Sequence, residues 1–492
     1  MSELTKLSIV ETLKKLKNKD FSVKELITAH IEQISKHKPL NCYITTNFEQ
    51  ALLQAEKSDQ RYLSNSARKL EGIAIAVKDV FCTKGIRTTA GSKMLDNFVP
   101  TYESTVSNKI LSEGSIILGK ANMDEFSMGS SNTNSYFGAT LNPWKEKGSS
   151  IDLVPGGSSG GSAAAVSSFQ AMAALGGDTG GSIRQPASFT GTVGIKPTYG
   201  RCSRWGMIAF ASSLDQAGIF TRNVKDAAIT LETIMGYDPK DSTSSQNTIP
   251  NLQSVCDLSI KNTKIGIPIN IMENQDINPE IKTIWKNSIS ILKNAGAQIV
   301  EITLPYIEHA LPTYYVIASA EASSNLARYD SIRYGYRINN TDGLKLEDIS
   351  IRSRTEAFGE EVKRRILIGT YVLSANRMNT YYIKAQKIRN LISCDFQNAF
   401  KKVEAILMPA TPNSAFPVTQ TADPTTAYLN DIFTTAPSLS GLPCLSVPAG
   451  LTNSGLPLGI QIISQYFRED NLIKLAYNIE KSININFVPE GY

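Results

Sequence analysis

Val154-Pro-Gly-Gly-Ser158-Ser-Gly-Gly-Ser-Ala-Ala-Ala-Val166, followed by Gly177-Asp-Thr-Gly-Gly-Ser182-Ile-Arg-Gln-Pro-Ala187 and Gly194-Ile-Lys-Pro-Thr-Tyr-Gly200, is the stretch whose reading decides the fold. Glycine and serine dominate it and charge nearly vanishes, yet apolar pieces such as Met172-Ala-Ala-Leu175 and Val193-Gly-Ile195 lie between the glycine clusters. A flexible Gly/Ser linker lacks such embedded helices and strands, so the stretch belongs to the folded body. Two glycine-flanked serines stand out, Ser158 and, 24 residues later, Ser182. Each cluster lets backbone amides approach a ligand closely. A phosphate loop needs a lysine after its last glycine, and neither cluster has one; a GxGxxG fingerprint is missing too.

Working outward, Gly72-Ile-Ala-Ile-Ala-Val77 and Ser115-Ile-Ile-Leu118 are short β-branched runs, with a helix-compatible segment from Ser104 to Glu113 between them. That order predicts a βαβ unit. Upstream, Ser22-Val-Lys-Glu25 has capping-box spacing, and Val23, Leu26, Ile27, Ile31 and Ile34 recur at helical period, predicting a helix to about His37. Downstream, strands are expected at Thr263–Ile267, Gln298–Ile302, Val403–Met408, Cys444–Val447 and Leu458–Ile463, with helices over Ile281–Ala295 and around Asn471–Lys481. No repeat or linker divides the chain. The expectation is one large α/β domain whose mixed, twisted sheet is covered by helices on both faces. Residues 1–65 would form an N-terminal helical layer, 70–230 the core that carries the glycine clusters, and 260–492 the rest of the sheet with the helices of the substrate site.

At 492 residues, with 41% apolar and 19% charged side chains, the chain has the composition of a globular protein rather than a disordered or coiled-coil one. The formal charge of +5 is small for this length and is not gathered into a basic run, which argues against a nucleic-acid groove. Met1 to Asp20 lacks the apolar core of a signal peptide and no 18-residue apolar run follows, so a cytoplasmic location is expected. Six dispersed cysteines form no CxxC pair, fit neither a zinc ribbon nor a dithiol motif, and read mostly as buried hydrophobes. No metal site is expected. Of three histidines, His30 and His37 share one predicted helix and read as surface or packing residues; His309 is the third.

Scarcity of histidine bears on the chemistry. Thr179-Gly-Gly-Ser182 ahead of Ile183-Arg-Gln-Pro-Ala suggests a turn of convergent N–H groups near a helix start: an anion nest or, for acyl chemistry, an oxyanion hole. Ser182 there would have donors beside it as it attacks a carbonyl. A serine needs a base. Lys78 directly follows the apolar run Ile73–Val77, so its ammonium could be desolvated at a strand end and act as a neutral base, with Ser158 relaying the proton. Taken singly, Lys78 could be an exposed strand-end lysine and either serine a turn residue; the combination points to catalysis.

The three glycine-rich segments together resemble the amidase signature family, whose motif is long and specific. The resemblance implies an amidase-signature domain and a Ser-cis-Ser-Lys triad: Ser182 as acyl-ester nucleophile, Ser158 as bridging serine, Lys78 as base. It also implies an oxyanion hole from the amides of Thr179, Gly180, Gly181 and Ser182. Further motifs, among them Gly129-Ser-Ser131, Asn142-Pro-Trp144, Glu321-Ala-Ser-Ser-Asn325, Arg333-Tyr-Gly335 and Glu361-Val-Lys-Arg-Arg365, resemble the glutamine-hydrolysing branch that serves tRNA-dependent amidotransferases. That likeness implies glutamine as ammonia donor and substrate contacts from Tyr314, Arg365 on the carboxylate and Asp431 on the ammonium. It leaves open which of Arg364 and Arg365 faces the site. It further implies two partners, the B and C subunits of such an enzyme, with Glu-tRNA(Gln) held mainly by the B subunit. This chain would bind no cofactor, and ATP with magnesium would act at the partner. The triad alone is also compatible with a free-standing amidase acting on a small amide. Gly177, where related sequences often have serine, and the polar loop Lys145–Asp152 are departures left without a role.

Overall fold

The protein, seen in a computed structural model, is described over residues 2–273, 277–420, 428–483 and 487–492. Among the described residues eleven strands form one mixed sheet. In chain order they are β1 (Tyr43–Thr46), β2 (Ala74–Lys78), β3 (Ile116–Ala121), β4 (Ala173–Asp178), β5 (Val193–Lys196), β6 (Gln216–Thr221), β7 (Lys264–Pro268), β8 (Gln298–Ile302), β9 (Ala405–Pro409), β10 (Cys444–Leu451) and β11 (Pro457–Ser464). The spatial order is β1-β3-β2-β4-β6-β5-β10-β11-β9-β7-β8. β2 runs parallel to both β3 and β4, and the Thr105–Ser112 helix crosses between β2 and β3, as the βαβ reading expects. The β4-β6-β5-β10-β11-β9 run is antiparallel at every step.

Alternation along the central strands feeds two cores. Ile75, Val77, Ala173, Leu175 and Ile219 join the larger core with Val106 and Ile110 of the Thr105–Ser112 helix and Val224 and Leu231 of the Val224–Ile234 helix. Ala76, Ala174 and Phe220 point the other way, into a second core with Ala163–Val166, Ile183 and Ala187. Helices therefore cover both faces. Apart from Phe220 the sheet side chains named on the second face are alanines, because helices Gly160–Ser167 and Arg184–Thr190 lie close to the sheet. Ile183 shows how close: a Cβ on Gly176, Gly194 or Gly218 would stand within 3.0 Å of its side chain. Three glycines on three neighbouring strands thus form the seat on which the residue after Ser182 rests.

The Ser22–Glu25 capping box is present at the start of the Val23–Lys36 helix. His30 of that helix is buried, hydrogen-bonded through Nδ1 to the Phe169 carbonyl at 3.2 Å, and pushed by burial to about 3, the behaviour of a packing histidine. Five of the six cysteines are buried and none is paired with another. β6 and the second half of β4 were not legible as strands, since Gly176-Gly-Asp178 and Gln216-Ala-Gly218 are poor strand formers held extended by their neighbours, and the four-residue β1, Tyr43-Ile-Thr-Thr46, was not expected although its residues favour a strand. No described helix is long and apolar enough to cross a membrane.

Candidate active site

The site lies at the ends of β2 and β4 and in the turns that follow. Lys78 closes β2 with both sheet neighbours parallel, so its side chain leaves the strand end inside the protein and is fully buried. Its Nζ donates to Ser158 Oγ at 2.7 Å and to the Gly177 carbonyl at 3.3 Å. Burial pushes Lys78 down to about 7, against the opposing pull of Asp124, Asp178 and Asp215. A lysine that is half neutral near pH 7 and bonded to a hydroxyl can take that hydroxyl's proton.

Ser158 follows a cis peptide bond from Gly157. Its loop is pinned on three sides. Gly157 N–H donates to Gln185 Oε1 at 2.9 Å, Asp124 N–H donates to the Ser158 carbonyl at 3.2 Å, and Ser159 Oγ donates to the Gly177 carbonyl at 3.0 Å. A side chain at Gly157 would collide with the Asp124 carboxylate, which accepts from Asn132 N–H at 2.9 Å and Asn134 N–H at 3.1 Å. Burial lifts Asp124 to about 6 despite those donors. Nothing in residue spacing signals Asp124, because its partners come from the two turns flanking it in space.

Ser182 stands in the turn between β4 and the Arg184–Thr190 helix and is 7% exposed. Among the described residues its hydroxyl has no hydrogen-bond partner, so Lys78 and Ser158 are brought together while the Ser158-to-Ser182 link is not closed. Such bonds often tighten only with substrate in place. Among the described residues the N–H groups of Thr179, Gly180, Gly181 and Ser182 likewise donate to no protein acceptor. What holds the turn lies beneath it. Asp178 accepts from Ile183 N–H at 3.2 Å and from Arg184 Nε and Nη2 at 2.9 Å each, and Thr179 Oγ1 donates to Asp215 at 2.7 Å. Burial alone would raise Asp178, but the Arg184 guanidinium holds it below the usual carboxylate range. Above the turn, a Cβ on Gly180 would sit 2.6 Å from the Tyr314 hydroxyl oxygen, so Tyr314 packs directly on the glycines.

A cavity of about 380 Å³ is lined by Ser131, Tyr315, Glu361, Arg364, Arg365 and Tyr428 among others; Lys78, Ser158, Ser182, Tyr314 and Asp431 are not in its lining, and Tyr315, next to Tyr314 in the chain, is its link to the Ser182 turn. Arg365 is buried, its Nε donating to Glu361 Oε1 at 2.7 Å and its guanidinium stacked over Tyr315 and Tyr428, 4.5 and 5.0 Å from the ring centroids. Tyr428 donates to the same Glu361 oxygen at 2.9 Å. Arg364 is 43% exposed at its side chain and pairs with the other Glu361 oxygen at the rim. Both arginines line the cavity, but Arg365 is the one fixed in it, buried and held through Nε by Glu361. Tyr315 in turn donates to Asp431 Oδ2 at 3.4 Å, and burial pushes Asp431 up to about 8 against the pull of Arg365. A guanidinium and a carboxyl group thus flank the two tyrosines, groups that can meet the two ends of a zwitterion once Asp431 is deprotonated. Sequence reasoning missed Tyr315, Tyr428 and the part played by Glu361. Only Glu361 left a trace, four residues before Arg365 on one helix face. The Lys145–Asp152 loop adjoins the cavity through Asp152, whose carbonyl accepts from Val418 N–H at 2.9 Å. A separate cavity of about 430 Å³ around Arg222 and Glu480 contains none of these groups.

The sequence profile of the amidase family matches residues 25–473. The chain belongs to the amidase family. Within that family it is 58% identical over 493 residues, covering 100% of both chains, to the A subunit of glutamyl-tRNA(Gln) amidotransferase from Orientia tsutsugamushi (strain Ikeda). It is 56% identical over 494 residues, again across 100% of both, to the protein of the same name from Rickettsia bellii (strain RML369-C). The crystal structure of the corresponding A subunit from Thermotoga maritima superposes with a TM-score of 0.80 at 38% identity, covering 98% of this chain and 96% of that one. The amidase fold expected from the glycine-rich stretch is therefore the fold of the whole chain.

Proposed function

We propose that the chain is the glutaminase of a tRNA-dependent amidotransferase that converts Glu-tRNA(Gln) to Gln-tRNA(Gln). The observation that carries this reading is the fully buried Lys78, pushed to about 7 and bonded at 2.7 Å to Ser158, with Ser182 in the turn after β4 and its hydroxyl without a hydrogen-bond partner among the described residues. In the proposed sequence neutral Lys78 takes the Ser158 proton as Ser158 takes that of Ser182, and Ser182 Oγ attacks the side-chain carbonyl of glutamine. The N–H groups of Thr179 to Ser182 receive the oxyanion, a contribution of about 3–4 kcal/mol for one donor in comparable sites. Collapse breaks the C–N bond, the proton held by Lys78 returns through Ser158 to the nitrogen, and ammonia leaves. Water then attacks the glutamyl ester by the same relay and frees glutamate and Ser182.

Arg365 would hold the α-carboxylate, Asp431 the α-ammonium, and Tyr314 the wall beside the oxyanion turn. Ammonia would pass to two partners, the B and C subunits, with ATP and magnesium acting at the partner that also grips the tRNA, all in the cytoplasm. The dispersed charge of +5 supports that division of labour, since a tRNA surface neutralises many phosphates. Full-length identity of 58% to the A subunit of a named amidotransferase favours this reading over a free-standing amidase.

The test is transfer of ¹⁵N from the side-chain amide of labelled glutamine to Glu-tRNA(Gln) by the chain co-purified with its partners. The wild-type complex is expected to transfer the label. Ser182→Ala is expected to transfer none, yet to amidate normally with added ammonium chloride. Full glutamine-dependent amidation by Ser182→Ala would contradict the proposal.

A further inference from the structure

Asp124 and Glu125 are sequence neighbours whose carboxylates face different parts of the site. Asp124 holds the loop of Ser158. Glu125, 4% exposed, accepts from Gly359 N–H at 2.8 Å through one oxygen and from Ser92 Oγ through the other. Gly359 is the N-terminal cap of the Glu360–Leu373 helix, whose first two turns carry Glu361 and Arg365. The next residue repeats the connection, since the Phe126 ring packs edge-on against Phe358 at 5.7 Å. At and just after these anchors the backbone turns through left-handed conformations at two consecutive non-glycine residues, Phe126 (φ 47°) and Ser127 (φ 64°). Backbone of that kind costs free energy and persists only where the surroundings impose it.

Resting on the function proposed above, we infer that Glu125 is a specificity-determining positioning residue, which fixes the spacing between Arg365 and the catalytic serines at the length of glutamine. Arg365 lies six residues beyond Gly359, about 9 Å along the helix axis. One dipeptide thus spans from the loop that holds Ser158 to the helix end that carries the carboxylate-binding fork. Asparagine is one methylene shorter than glutamine, a difference worth roughly 10- to 200-fold where a site is rigid. Rigidity here comes from the Asp124-Glu125 strut. Burial pushes Glu125 up to about 7, and a neutral carboxamide can reproduce both of its bonds, its oxygen accepting from Gly359 and its nitrogen donating to Ser92 Oγ.

The experiment compares Glu125→Ala, Glu125→Gln and Gly359→Ala in the co-purified complex. Gly359 has φ −71°, open to alanine, but a Cβ there would stand 2.5 Å from Glu125 Oε2 and displace the carboxylate. Three quantities are read: KM and kcat for glutamine, the ratio of kcat/KM for glutamine to that for asparagine, and the rate at which phenylmethanesulfonyl fluoride sulfonylates Ser182. Expected for Glu125→Ala and Gly359→Ala are a KM raised about tenfold and a glutamine preference reduced about tenfold. Sulfonylation should stay within about twofold of wild type, and Glu125→Gln should match wild type throughout. Unchanged KM and preference in both spacing variants, or sulfonylation lost in step with glutamine turnover in both, would overturn the inference. Failure of the wild-type complex to hydrolyse glutamine at all would overturn the proposed function and this inference with it.

Discussion

Lys78 and Asp431 are both buried and both shifted toward their neutral forms, to about 7 and about 8. The proposed chemistry needs each deprotonated in the free enzyme, Lys78 to act as base and Asp431 to receive an ammonium. The acid limb of kcat/KM for glutamine is therefore expected to fall with a slope approaching two below pH 7, and with a slope of one in Asp431→Asn. A stopped assay across pH 5.5–9 checks this, and a slope of one in both proteins would remove Asp431 from the account. Lys78 also opposes folding. Between about 7 and the ordinary lysine value near 10.4 the unfolded chain binds the extra proton, so this group makes stability rise with pH across that window. Lys78→Met removes the burden, and its thermal midpoint at pH 7 is expected to equal or exceed that of wild type while glutamine turnover is lost. Lys78 was legible in the sequence because an apolar run ends at it. Asp124 was not, because the cis Gly157–Ser158 loop that it supports arrives from over 30 residues away.

At the scale of elements, the Glu360–Leu373 helix shows how the fork proposed to bind the carboxylate is held. Glu361, one turn before Arg365, takes its Nε, and Tyr315 and Tyr428 fix the guanidinium plane from other segments. Arg365→Lys keeps the charge but loses the planar fork, so KM for glutamine should rise roughly 10- to 100-fold with kcat changed far less. Steady-state kinetics in the complex decide it; an equal fall in kcat would place Arg365 in the chemical step. Helical spacing made the Glu361–Arg365 pair readable, whereas no local pattern could bring Tyr428 across 63 residues to Arg365. The strands follow the same division. β2, β3 and β9 declare themselves by β-branched or aliphatic runs, while the glycines of β4 and the glutamine and glycine of β6 disfavour a strand, and both are held extended by pairing with each other over six residues and with β2 and β5 on their outer sides. The same glycines let Ile183 sink onto the sheet and so set the height of Ser182.

For the molecule as a whole, the buried Asp178–Arg184 pair joins the Ser182 turn to the late part of the chain. Arg184 also donates to the Thr434 carbonyl, Ser438 Oγ and Gln461 Oε1, 250 or more residues away. Arg201 and Glu469 make a second buried pair between the glycine-rich core and the C-terminal helix. These ties, with the continuous eleven-strand sheet, are why the chain behaves as one domain. Asp178→Ala would leave Arg184 charged and unpaired in the interior, at a cost of about 3–5 kcal/mol, visible as a lowered urea midpoint. An unchanged midpoint would mean that water reaches Arg184. The central claim, that Ser182 acts through Lys78, is tested most directly by glutamine hydrolysis in the co-purified complex, comparing wild type with Ser182→Ala and Lys78→Ala, with and without Glu-tRNA(Gln) and ATP. The account predicts that wild-type turnover is stimulated by tRNA and ATP and that each variant loses about 10³-fold or more in kcat; turnover near the wild-type rate in either variant would contradict it.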